Sequence, residues 1–125
     1  MKALLKIAIL SASLLPGAVS IAHAGEADVV GAEARQSGDG SWTFSVTVRH
    51  ADKGWNHYAD AWEVLDTERT VLATRILAHP HVNEQPFTRS KSGIKIPATV
   101  TRVIVRARDS VHGYGGAEMT VTLER

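Results

Sequence analysis

The stretch that decides the fold is Trp42-Thr43-Phe44-Ser45-Val46-Thr47-Val48-Arg49. Large apolar residues occupy every second position and small polar ones fill the gaps, which is the two-residue period of a strand with one buried face. Trp42, Phe44, Val46 and Val48 point one way, Thr43, Ser45, Thr47 and Arg49 the other. Two further segments repeat the pattern. Arg102-Val103-Ile104-Val105-Arg106-Ala107-Arg108 marks its solvent face with arginines, and Met119-Thr120-Val121-Thr122-Leu123-Glu124 alternates with threonine. Less regular strands are expected at Ala27–Arg35, Tyr58–Leu65, Val71–Leu77 and Phe87–Ile96, with Ala59–Val64 open to a helical reading.

Turn signals separate these segments. Ser37-Gly38-Asp39-Gly40 is rich in residues that tolerate positive φ. Asp66-Thr67-Glu68-Arg69 is a second short reversal, and Pro97 removes a ladder donor and ends the strand before it. About seven short strands in a hundred residues predict an all-β, antiparallel sandwich of immunoglobulin or fibronectin III type. Trp62 is expected at its centre.

Before this domain stands a different kind of sequence. Met1 to Lys6 is short and basic, Ile7 to Leu15 is apolar, Pro16-Gly17 breaks any helix, and Ala22-His23-Ala24 has the small-x-small pattern of a signal-peptidase site. The reading is a signal peptide over 1–24 and one domain over 25–125, exported to the periplasm or secreted. The apolar run falls short of the roughly 20 residues of a spanning helix, so no membrane insertion is expected after cleavage. A cysteine-linked lipid anchor is not expected either, because the chain has no cysteine.

Processing changes the charge. Losing Lys2 and Lys6 leaves twelve basic residues against thirteen acidic ones, a net charge of −1. With no basic cluster there is no electrostatic reason to expect nucleic acid as a partner. The absence of cysteine removes thiolate catalysis, zinc fingers, iron–sulfur clusters and blue-copper centres. Met119, the one methionine beyond the signal, argues against a methionine-rich copper(I) carrier.

If the strands run up and down in order, the loops 50–57, 78–86 and 109–116 all lie at one end. They hold five histidines: His50, His57, His79, His81 and His112. His79-Pro80-His81 sets two imidazoles one residue apart on backbone that proline keeps extended. With His112 or His57 they form a candidate nitrogen-rich site for a transition metal, copper or zinc, with iron also suited. Asp60, Glu84 and Asp109 are candidate ligands or orienting partners. The plainer reading makes all five surface-loop histidines.

His50, Trp55, Tyr114 and Arg89 complete a candidate ligand pocket beside these residues. The competing structural uses are that Trp55 and Tyr58 plug the end of the core, that glycines around Tyr114 allow a tight hairpin, and that Arg89 pairs with Glu84 or Asp60. Asp109, Ser110 and His112 are the residue types of a hydrolase triad, but they are too close along one strand end to assemble one.

The segments GWNHYADAWEVLD (54–66), HPHVNEQPFTRS (79–90) and DSVHGYGG (109–116) resemble a group of small exported bacterial β-sandwich proteins of uncharacterised activity. That resemblance implies that the loops form one unit. Superoxide reductases are similar in architecture, but their cysteine ligand to iron has no counterpart here. The functional expectation is an exported binding module whose histidine end holds a metal ion. The alternatives are a metal-free structural or protein-interaction domain and, third, a metal-dependent enzyme; whether the partner is a protein or a small molecule is left open.

Overall fold

The computed structural model describes residues 25–125, so the predicted signal segment lies outside the described residues. Eight strands follow in order: β1 (Asp28–Gln36), β2 (Trp42–Arg49), β3 (Ala59–Leu65), β4 (Val71–Ile76), β5 (Phe87–Ile94), β6 (Arg102–Asp109), β7 (Gly113–Tyr114) and β8 (Met119–Thr122). There is no helix among the described residues, and Ala59–Val64 is strand. One antiparallel sheet has the order β1-β2-β5. The other runs β4-β3-β6, with β7 and β8 both pairing with β6.

The alternation read in Trp42–Arg49 is the burial observed. Trp42, Phe44, Val46 and Val48 are fully buried, and they share one core with Trp62 and Val64 of β3, Val103 and Val105 of β6 and Phe87 of β5. Each such side chain contributes about 1.5–3 kcal/mol when removed from water. On the other face of β2, hydroxyls pair across to β5: Thr43 with Ser92 at 2.9 Å, Ser45 with Ser90 at 2.8 Å and Thr47 with Thr88 at 2.7 Å.

The turns use the predicted residues. Gly40 takes φ +90°, and the Asp39 carboxylate accepts from the Ser41 amide and hydroxyl. At 66–70 the Asp66 carboxylate accepts from the amides of Glu68 and Thr70, which supports Arg69 at φ +70°.

Two features place the functional end. The partner strand of β6 is interrupted between β7 and β8, and the start of β1 fills the gap. The Val29 amide donates to the Ala117 carbonyl at 2.8 Å, and the Asp28 carboxylate accepts from the Ala117 amide at 2.8 Å. The contact is so close that a Cβ on Gly116 would lie 2.0 Å from the Ala27 carbonyl oxygen. This fixes Gly25 at the end of the molecule where β2 and β6 finish.

One expectation is corrected. Trp55 does not plug the core but is 67% exposed. Gly54, at φ +111°, lies in a tight turn where Lys53 donates to the His57 carbonyl and His57 to that of Gly54. The turn directs the indole outward, edge-on to Tyr58 with ring centroids 5.6 Å apart.

Candidate metal centre

His50 follows the last residue of β2 and keeps its two-residue period, so its ring enters the end of the sandwich and is 3% exposed. Its Nδ1 lies 2.5 Å from Asp52 Oδ1. Asp52 is itself buried, and its carboxylate also accepts from the Ala59 amide at 3.0 Å and the His81 amide at 2.7 Å. An acceptor so occupied requires the proton on His50 Nδ1. In the neutral ring, Nε2 then carries a lone pair.

That lone pair faces other electron-rich atoms. His50 Nε2 is 3.3 Å from His57 Nε2, 3.1 Å from the Gly25 carbonyl oxygen and 3.7 Å from Asp109 Oδ2. His57 Nε2 is 2.7 Å from Asp109 Oδ2 and 3.2 Å from the same Gly25 oxygen. Asp109, the last residue of β6, has no exposed surface. Burial pushes its carboxyl up, but hydrogen bonds from the His112 ring, the His112 and Val111 amides and His57 outweigh this and hold it below the usual range. His112 Nδ1 stands 3.0 Å from Asp109 Oδ2, and its ring centroid is 5.0 Å from that of His57.

One proton on His57 Nε2 serves Asp109 and leaves His50 Nε2 against the Gly25 oxygen, acceptor to acceptor. Two carboxylates, Asp52 and Asp109, are buried here, and ion pairs among the described residues supply them with histidine but no lysine or arginine. Such a cluster calls for a cation, either a second proton or a metal ion. The spacing fits a metal. Four ligands at about 2.05 Å in a tetrahedron stand about 3.3 Å apart. His50, His57 and Asp109 offer one ligand atom each within 4.8 Å of one another.

The other predicted residues fall in three places. His79 and His81 form a neighbouring pair with ring centroids 4.7 Å apart, outside the set around Asp109. His81 stacks on Phe87 at 3.9 Å and 9°, and is 6% exposed. Neither of its ring nitrogens has a hydrogen-bond partner among the described residues. Burial, helped by the charge of Arg89 and then His79, pushes its pKa down. His79 is exposed. Glu84 and Arg89 pair with each other at 3.0 Å on the outside of the same loop.

Asp60 pairs with Arg108 at 2.5 Å, and both line a groove of about 370 Å³ with Tyr58, Ile76, Leu77 and Tyr114. Burial and the nearby Glu63 carboxylate push the Tyr114 hydroxyl up to about 12. The Arg106 guanidinium lies over its ring at 3.9 Å.

Sequence reasoning placed His57 and His112 in the metal set and named Asp109 beside them. It put His50 in a pocket rather than among the ligands, although the even-numbered alternation through residue 48 already aims residue 50 inward. It missed Asp52 and the Gly25 carbonyl. Asp52 works through backbone amides that no residue pattern reveals.

No family model matches the chain, and no solved structure matches it. A curated protein of Halomicrobium mukohataei named "Putative lipoprotein" is 42% identical over 99 residues, which is 79% of this chain. The chain spans about half the length, 48%, of that relative.

Proposed function

We propose that this chain is an exported binding module that holds one transition metal ion, copper(II) or zinc, through His50 Nε2, His57 Nε2, Asp109 Oδ2 and His112 Nδ1. The observation that carries the reading is the convergence of the first three atoms at 2.7–3.7 Å. Asp52 is the outer carboxylate that orients His50, the arrangement by which ligating imidazoles are usually fixed. Imidazole-rich sets with one carboxylate suit both metals, and copper(II) binds such donors more tightly.

Export is supported by the signal-like pattern of residues 1–24 and by the relative's name. The strand order β1-β2-β5 against β4-β3-β6-β7 supports the immunoglobulin or fibronectin III type of sandwich. Binding rather than catalysis is the reading adopted.

The test is elemental analysis of untagged protein from the periplasmic fraction, followed by titration with copper(II) and zinc. One ion per chain, lost in His57→Ala and in Asp109→Asn, is the expected result. Neither metal binding stoichiometrically overturns the reading. A second reading, a metal-free interaction domain, is favoured by exposed Trp55 and Ile76 near the groove. It predicts wild-type partner binding in His57→Ala.

A further inference from the structure

Gly25 is the residue immediately after the Ala22-His23-Ala24 pattern, and it lies against three of the four proposed ligands, His50, His57 and His112. Its carbonyl oxygen lies 3.1 Å from His50 Nε2 and 3.2 Å from His57 Nε2. These are the spacings of a further corner of the same coordination polyhedron. Its Cα lies against the third ring, since an added Cβ would be 2.9 Å from His112 Cε1. Its φ of +88° is one that glycine adopts at little cost. Position and conformation thus both select glycine here.

The nitrogen of a residue is bound to its own carbonyl through two short bonds, so it lies within about 3.6 Å of that oxygen by covalent geometry alone. In a longer chain this nitrogen is an amide, whose lone pair is delocalised into the peptide bond. Hydrolysis of the Ala24–Gly25 bond by a signal peptidase changes that. Water adds across the C–N bond, Ala24 leaves with the carboxylate, and Gly25 keeps an α-amine with an ordinary pKa near 7.7–8.0. Such an amine has a lone pair to give a metal once its proton leaves.

We infer that Gly25, once freed by cleavage after Ala24, is itself a ligand: its α-amine and carbonyl oxygen close a five-membered chelate on the metal held by His50, His57 and Asp109. This rests on the metal-binding reading above and adds an ordering to it. The centre is incomplete in the precursor and gains its full affinity only on the far side of the membrane, after processing. Metal loading therefore follows export.

The experiment compares two forms of residues 25–125. One is released from a fusion so that it begins at Gly25, and the other carries two extra alanines before Gly25. Copper(II) affinity is measured by competition with a chelator. Pulsed EPR on protein grown with ¹⁵N-glycine reads whether a glycine nitrogen is bound to the metal. Loss of an outer-sphere partner alone weakens metal sites by about 10–100-fold, so loss of a direct ligand is expected to cost at least about tenfold. The native start should show a strong ¹⁵N coupling that the extended form lacks. Equal affinity in both forms, or a weaker extended form without ¹⁵N coupling in the native one, overturns the inference and leaves the proposed function standing. Failure of both forms to bind copper(II) overturns the inference, and the proposed function falls with it when zinc also fails to bind.

Discussion

Asp52 is the place to test whether the cluster was built as described, and Asp52→Asn is the sharpest perturbation. The carboxylate accepts three hydrogen bonds, from His50 Nδ1 and the amides of Ala59 and His81. An asparagine in the same position keeps one oxygen and turns the other acceptor into an NH2 donor. One N–H among the three then faces a donor in a buried site, at a cost of about 1–3 kcal/mol. Loss of the charge-assisted bond to His50 adds to this, so we expect about 2–3 kcal/mol. For a domain of about a hundred residues that corresponds to a Tm lower by about 8–20 °C. Urea unfolding followed by the fluorescence of buried Trp42 and Trp62 measures it directly. The amide no longer dictates which nitrogen of His50 is protonated, so copper(II) affinity should fall by about 10–100-fold as well. A variant within about 0.5 kcal/mol of wild type, the range of ordinary surface substitutions, with unchanged affinity would refute the reasoning.

Asp109 has a folded pKa below its unfolded value of about 3.9. Its stabilisation is therefore complete above that value and lost as pH falls through the folded pKa. Metal-free Asp109→Asn should show a flatter acid-unfolding curve below about pH 4 than wild type. His81 acts in the same sense but in a higher pH window, because burial lowers its pKa and the unfolded chain binds the extra proton first. Stability should decline as pH drops below about 6.5, and His81→Leu should remove that decline, read from urea midpoints at pH 7.5 and 5.5. Trp55→Ala should leave stability within about 0.5 kcal/mol, whereas an indole plugging the core would cost about 3–5 kcal/mol; thermal melts separate the two.

The strands were legible because their burial is periodic. Trp42–Arg49 carries its whole environment in its pattern, and Arg102–Asp109 nearly so. The pair Gly113–Tyr114 was not legible as a strand, since two residues cannot display a period. Up-and-down strand order was enough to gather His50, His57 and His112 at one end. What it could not supply was the choice among them. His81 shares residue type and loop location with His57, yet the ring of one stacks on Phe87 while that of the other reaches Asp109. That difference comes from the Asp52 carboxylate holding the His81 backbone, a tertiary contact across 29 residues. The outward Trp55 follows from Gly54, whose positive φ is visible only once the turn has formed.

The sheets of this molecule are joined at one end by polar atoms. His50 continues β2 of one sheet, Asp109 ends β6 of the other, His57 touches both, and the Gly25 carbonyl meets His50 and His57. In a chain without cysteine this knot occupies the place a disulfide would hold, linking segments far apart in sequence. A cross-link over such a distance removes several kcal/mol of freedom from the unfolded chain when it is permanent. Here it is reversible and, through Asp109, answers to acid; with the proposed metal bound it would answer to chelators too. Durability of the fold thereby becomes a variable set by the surrounding medium rather than a fixed property of the chain.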